Sequence, residues 1–586
     1  MKNARKQYRK QSWMRLMMLI VSIFVLNFLV SFVVVRLDLT KEKRFTLSPI
    51  SKDLLSNLKD VIFVRVYLDG DLPYGFKRLQ QNIKEMLDEF RVYAGENLQY
   101  EFVNPSAEQD KKTRDEVYRQ LYLKGLTPTN LQEKDEEGAM SQKVIWPGAL
   151  ITFRDNEVAL DLLKNSLQLS PEENLNASVE EIEFNFISTF KKLNRDFGQR
   201  IAIIQGHGEW PEIEVADFRK SLEEYYFVEQ VTINGNIAAL SERTEDSTGI
   251  RVTNKYDLII IAGPDTAFSE KDKYIIDQFI MYGGRALFLV DAVEASVDSL
   301  AYRNEVIAFI RNLNLDDMLF RYGIRINPNL IQDVQCAVIP VNTATAGTQP
   351  RFSSFPWVYF PLIIPGPGHT ITRNLNMIKT QFVSSLDTVG ENPSVNKTIL
   401  LTTSPRTKVL NAPVNVSLDL IRQKLNPDHF IAGPRPVAVL LEGKFTSLYE
   451  NRLSPYMYES KEIAFKGEGV PTKIVVISDG DMIRNNVKRL GYNQTPLPLG
   501  YDRYTGATYG NKDFLMNVVN YLLDGSGFMQ LRAREIKLRL LDQAKLTQSG
   551  TFWQFINIVV PVLLIVAGGV LVMFLRRKKY TKPFVS

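Results

Sequence analysis

The sequence predicts an α/β protein in which a folded body, residues 36–551, is held between two transmembrane helices. Three observations predict it. Two long apolar stretches, Leu16–Val35 and Phe552–Leu575, lie near the ends of the chain. Between them, short apolar runs alternate with helical patterns, as in a sheet covered by helices on both faces. The chain is 45% apolar and 23% charged over 586 residues, enough for a buried core and for several domains.

The first stretch has 20 residues, which at 1.5 Å each match the hydrocarbon thickness of a bilayer. Ser22, Asn27 and Ser31 fall roughly on one side of it and face a neighbouring helix. A cleaved signal peptide is the competing reading, but no small-x-small site follows. The second stretch opens on Phe552, Trp553 and Phe555, placed as an interfacial aromatic belt. Pro561 and Ala567-Gly568-Gly569 predict a bent, closely packed helix.

The formal charge of +5 divides unevenly. The tails 1–15 and 576–586 carry +6 and +5, so residues 16–575 carry −6. Basic tails beside apolar helices suit a lipid bilayer, and the acidic body excludes nucleic acid as a partner. Two spans put both termini on one side. The outer flanks also hold Lys and Arg, so the positive-inside bias toward cytoplasmic termini rests on the tighter packing of the tail charges.

Residues 36–170 read as β-α-β-α-β-β. The strands are Val61–Leu68, Leu98–Val103, Ala149–Arg154 and Glu157–Leu162. A helix carries Phe76, Leu79, Ile83, Met86, Leu87 and Phe90, and a polar helix covers 110–124. This is the order of a thioredoxin-like domain. With Cys336 the sole cysteine, it has no Cys-x-x-Cys, so that fold's redox chemistry is absent, as are disulfides and thiolate zinc sites. A connecting helix occupies 171–199. A parallel-sheet domain follows in two parts, 200–295 and 437–530. Its strands are Ile201–Ile204, Leu258–Ala262, Ala286–Val290, Val437–Leu441 and Ile474–Ile477; its helices are Glu212–Tyr225, Glu270–Tyr282 and Asn511–Leu523. The Pro-, Thr- and Ser-rich stretch 296–436 reads as a β-rich insertion, and 531–551 as a juxtamembrane helix.

Ligands of open parallel sheets sit beyond the carboxyl ends of the strands. Four strand ends deliver polar groups there: His207 and Glu209, Asp265, Asp291, and Asp479 with Asp481. Two readings stay open. These residues form a ligand or metal pocket, or they are turn formers and caps of the following helices. No Walker A pattern occurs, so no ATP site of that type is present, and no Gly-x-Ser-x-Gly elbow occurs. Gly366-Pro367-Gly368 is a turn. No catalytic residue, resident metal or cofactor is expected.

Arg36-Leu-Asp-Leu-Thr40, followed by Phe45-Thr-Leu-Ser48, resembles the opening of the auxiliary subunits of certain ABC transport systems. Gly206-His-Gly-Glu209, Tyr322-Gly323 before Leu330–Asp333, Ser478-Asp-Gly-Asp481, and Asn511–Leu523 before a terminal span are also similar to that family, in that order. The nearest resemblance is to the gliding-motility-associated, substrate-binding-type components of Bacteroidetes. It implies a non-enzymatic subunit of a cytoplasmic-membrane complex, partnered by a multi-span permease and a separate ATPase, with a periplasmic body that meets periplasmic or envelope proteins. It also implies that the second domain is flavodoxin-like or amidotransferase-like. No cysteine stands at a strand elbow, so amidotransferase activity is not implied. Two roles follow: mechanical coupling, or delivery of a ligand bound at the His207–Asp481 edge to the permease.

Overall fold

The computed structural model describes residues 13–25, 46–108, 110–134, 140–193, 198–246, 249–344, 349, 351–390, 392–423, 425–460, 463–491, 493–525, 527–533 and 543–580. They belong to two compact units, Met1–Glu535 and Ile536–Ser586. The expected first span, Leu16–Val35, is described only in the helix Trp13–Val25; its remainder lies outside the described residues, as do Arg36–Thr40, Phe45 and most of both basic tails.

The first sheet of the larger unit contains β1 (Ile62–Val66), β2 (Leu98–Phe102), β3 (Gly148–Phe153) and β4 (Asn156–Asp161), in the order β2-β1-β3-β4. β1 runs parallel to β2 and antiparallel to β3, and β3 and β4 form a hairpin. Alternate residues of β1 are buried, the period of a strand with one covered face. Helix α1 (Tyr74–Ala94) buries Phe76, Leu79, Ile83, Leu87 and Phe90, the three-to-four spacing of one helical face. Helix α2 (Lys111–Leu123) is capped by Asp110, whose carboxylate accepts from the Thr113 N–H at 3.0 Å.

Helices α3 (Pro171–Glu180) and α4 (Ile182–Leu193) replace the single connecting helix expected over 171–199. Ser170 and Glu173 form a capping box and Pro171 pre-sets the first turn, so α3 has a sharp start. Phe186 and Phe190 of α4 meet Phe90 of α1 edge-on, with centroids 6.1 and 6.0 Å away.

The second sheet has seven strands: β5 (Arg200–Gln205), β6 (Phe227–Thr232), β7 (Leu258–Ala262), β8 (Arg285–Leu289), β9 (Val395–Thr402), β10 (Pro436–Gly443) and β11 (Thr472–Ile477). The order is β9-β10-β11-β8-β7-β5-β6. The five from β11 to β6 are parallel; β10 runs antiparallel to β11, and β9 antiparallel to β10. Alternate residues serve opposite faces. Leu258, Ile260, Leu287 and Val475 pack with helices α5 (Ala216–Glu223) and α7 (Asn511–Leu523), whereas Ile259, Ile261, Phe288 and Val476 pack with α6 (Glu270–Met281).

Three features of this sheet depart from the sequence reading. Val437–Leu441 lies in an antiparallel strand, because a buried apolar run looks the same in either direction. β9, within the stretch read as an insertion, is an edge strand of the main sheet. β6 was not expected, because its half-exposed sequence Phe-Val-Glu-Gln-Val-Thr lacks a buried run. The expected helix Glu212–Tyr225 is a 3₁₀ turn, Glu212–Glu214, followed by α5. Much of 291–434 forms a separate β layer around Trp357, Tyr359 and Phe360.

In the smaller unit, the helix Gln543–Tyr580 breaks at Ser549, where φ is −143°. Ser549–Lys578, 30 residues, is long and apolar enough to cross a membrane, and its most apolar stretch is wholly unburied.

Candidate functional site

The carboxyl ends of β5, β7, β8 and β11 deliver the expected residues in two groups. In the first, the loop Gly206-His207-Gly208-Glu209 leaves β5 with φ of 114° at Gly206 and 73° at Gly208, a region that favours glycine. A side chain on Gly208 would strike the Asp265 carboxylate. The His207 carbonyl accepts from the N–H groups of Asp265 (3.0 Å) and Thr266 (2.9 Å), stitching this loop to the one after β7. The His207 ring is buried and stacks on Phe268, with centroids 3.7 Å apart. Its Nδ1 lies 3.3 Å from Glu209 Oε1 and its Nε2 3.2 Å from Asp272 Oδ2. Burial opposes charge on this ring, but the two carboxylates outweigh it and hold its pKa above the ordinary value. Both ring nitrogens are thereby occupied. The Asp265 side chain is exposed and accepts from Thr266 Oγ1 at 2.8 Å.

The second group gathers Asp291, Asp479 and Asp481. Asp291 Oδ1 accepts from the Gly480 N–H at 2.7 Å, and Asp479 Oδ2 from the Gln381 N–H at 2.9 Å. Asp479 is fully buried, and its Oδ1 has no hydrogen-bond partner among the described residues. Burial pushes the Asp479 carboxyl well above the usual range, and the neighbouring Asp291 and Asp481 push it further. Burial and Asp291 raise Asp481 to about 7, against the pull of Arg484. Two buried carboxyls and a third, half-buried one this close do not all ionise near neutrality. Arg484 bonds Glu214 at 2.6 Å and lies over the Trp210 ring at 4.2 Å, while Trp210 Nε1 donates to the Gly480 carbonyl at 2.7 Å. The group is closed by side chains of its own fold.

Asp272, Trp210 and Arg484 were not singled out from sequence. Asp272 stands in the first turn of α6 behind the cap Ser269, where a helix start alone accounts for it. Among the described residues, no group of three or more His, Cys, Asp or Glu has the arrangement of a metal site. Burial pushes the Cys336 thiol up to about 11, so it stays protonated at neutral pH and makes a poor nucleophile.

A further polar centre lies at the junction of α3 and α4 with the 3₁₀ turn Phe528–Ala533. Glu181, buried, accepts from Lys164 Nζ (2.8 Å) and Arg532 (2.9 Å). Burial disfavours its charge, but the two cations prevail and hold its carboxyl below the usual range. The Arg532 guanidinium covers Phe184 at 4.9 Å, and Phe184 packs on Phe528 with centroids 5.3 Å apart. Beside them a cavity of about 480 Å³ is lined by Lys191, Lys192, Asn520 and Asp524, among others. Its charges come from segments far apart in the chain, so no local motif announces it.

Residues 198–518, more than half of the chain and the whole span of the second sheet, match the family described as an ABC-type uncharacterized transport system. The chain belongs to this family of ABC transporter auxiliary components. Residues 41–152, which contain β1, β2 and all but the last residue of β3, match a family described as a domain of unknown function. An uncharacterized protein of Borreliella burgdorferi is 19% identical over 571 residues, covering 95% of this chain and 96% of that one. Among solved structures, the mmIFT52 N-terminal domain is 14% identical with a TM-score of 0.29, over 56% of this chain and 99% of that one; a score so low carries no argument. Membership of the auxiliary family implies partners in a transporter complex and suggests a non-enzymatic role.

Proposed function

We propose that this chain is a membrane-anchored, non-enzymatic auxiliary subunit that couples an ABC permease and its separate ATPase to periplasmic or envelope partners, in a complex linked to gliding motility. Its body faces the periplasm and both termini face the cytoplasm. The sheet order β2-β1-β3-β4 supports a thioredoxin-like first domain, and the five parallel strands support a flavodoxin-like second one.

The observation that carries this reading is the buried triad Lys164–Glu181–Arg532. It ties the last described turn of the body, Phe528–Ala533, to the helices that join the two sheets, and that turn precedes the apolar helix Ser549–Lys578 in sequence. Such a tether transmits movement of an anchor into a packed body, because a buried ion pair resists opening. The strand ends favour coupling over ligand delivery, since the His207 nitrogens, Asp291 Oδ1 and Asp479 Oδ2 already have partners within the fold. Purification of the full chain from its native membrane in mild detergent is expected to recover a multi-span permease and an ATPase with it. Recovery of a lone, stable monomer would overturn the proposal.

A further inference from the structure

The neighbours of His207 dictate its charge. A neutral imidazole has one N–H and donates to one acceptor only. Here each ring nitrogen meets a carboxylate oxygen: Nδ1 lies 3.3 Å from Glu209 Oε1 and Nε2 3.2 Å from Asp272 Oδ2. Neither carboxyl is placed to supply the second proton. Asp272 Oδ2 also accepts from Ser269 Oγ at 2.8 Å, and its Oδ1 from the Gly235 N–H at 2.7 Å. Burial disfavours charge on Asp272, but these donors and His207 prevail and hold its carboxyl below the usual range. Glu209 Oε2 accepts from the His207 N–H at 2.7 Å. The geometry is that of an imidazolium joining the loop after β5 to the first turn of α6.

Other charges nearby are committed elsewhere. Lys273 bonds Glu270 and Asp317, and Arg311 donates to the Pro264 carbonyl. Lys271 passes beside Gly235, and the exposed Asp265 accepts from Thr266. Among the described residues, no Lys or Arg pairs with Glu209 or Asp272, whose side chains are 0% and 9% exposed. When the ring loses a proton, one nitrogen turns its lone pair toward a carboxylate oxygen that water reaches poorly. Glu209 Oε1 has no other hydrogen-bond partner among the described residues, whereas Asp272 keeps Ser269 and Gly235. The neutral ring therefore keeps Glu209 and releases Asp272.

We infer that His207 is a proton-operated latch on the strand-end edge of the second sheet: as the imidazolium it holds the loop after β5 against α6, and on deprotonation it lets that loop part from the helix. The latch is closed below the ordinary histidine value and opens as pH rises through the raised value of the folded chain. It concerns the second sheet alone and stands whether or not a permease is bound.

The test uses the full chain in nanodiscs. Ring nitrogens of its three histidines, labelled with ¹⁵N, are followed by NMR from about pH 6 to about pH 9. His369→Gln and His429→Gln identify the other two signals by their loss. The His207 ring is expected to carry protons on both nitrogens at neutral pH and to titrate above the ordinary value. Hydrogen exchange, corrected for the intrinsic effect of pH, reads the latch itself. The Asp265 and Thr266 amides, which bond the His207 carbonyl, should lose protection about tenfold or more between those limits, while the Gly235 amide keeps its own. Asp272→Asn should lower the His207 titration and flatten the change at Asp265 and Thr266, and an unchanged melting curve near pH 6 checks that it folds. A singly protonated ring at neutral pH, titration at or below the ordinary value, or equal protection of Asp265 and Thr266 across the range would each overturn the inference, and the first two need no variant of the latch.

Discussion

At the strand ends, Asp291, Asp479 and Asp481 gather; burial drives all three carboxyls up, and neighbouring acids push Asp479 and Asp481 further. At the junction of α3 and α4 with the turn Phe528–Ala533, Glu181 is buried too, yet Lys164 and Arg532 drive its carboxyl down. They respond in opposite directions because Arg311 and Arg484 fall short of offsetting burial at the strand ends, whereas Lys164 and Arg532 outweigh it at Glu181. The strand-end group gains little from charge and closes the edge of the sheet where ligands of such folds usually bind. The junction group depends on charge and holds a segment that leads to the apolar helix.

The sharpest way to break this comparison is Glu181→Ala. It leaves Lys164 and Arg532 facing each other without an anion, and a loss of about 3–5 kcal/mol is expected in denaturant unfolding of the solubilised chain. Faster proteolysis within 528–533 is expected as well. A loss below about 1 kcal/mol would show that the triad bears no load.

Gly208→Ala tests whether the strand-end loops are closed by design. The new methyl meets the Asp265 carboxylate at a positive φ, and the expected cost is about 1–3 kcal/mol in thermal unfolding. An unchanged melting temperature would mean that the loop after β5 opens freely.

Asp481→Asn should produce the smallest effect, and one that depends on pH. The folded chain holds the Asp481 proton up to about pH 7, whereas an ordinary aspartate loses it near 3.8. Stability from this group is therefore complete below the ordinary value and is lost as pH rises through 7. The neutral amide removes that loss. The variant should match the parent near pH 4 and exceed it by on the order of 1 kcal/mol at pH 8. A variant less stable than the parent at pH 8 would place a working negative charge at the strand ends and undo the contrast with Glu181.

Much of the architecture was legible in the chain. The apolar runs Ile201–Ile204, Leu258–Ala262, Ala286–Val290 and Ile474–Ile477 each mark a strand buried on both faces, and the spacing from Phe76 to Phe90 marks α1. Strand direction and edge membership were not legible. Val437–Leu441 is equally apolar in either orientation, and Val395–Thr402 and Phe227–Thr232 carry the mixed polarity of edges. Gly206-His-Gly-Glu209 and Ser478-Asp-Gly-Asp481 could be placed at strand ends from their order alone. Their partners Asp272, Trp210 and Arg484 could not, because contacts across 65 to 274 positions leave no local pattern.

What the sequence by itself determined is the alternation of strands and helices, the apolar helix near the C-terminus and the chemical types gathered at the strand ends, since each follows from periodicity or from residues adjacent in the chain. What only the tertiary structure decided is which buried acids stand beside cations and which beside other acids. Burial raises the energy of every one of these charges, and the sign of the outcome belongs to neighbours that the fold alone supplies.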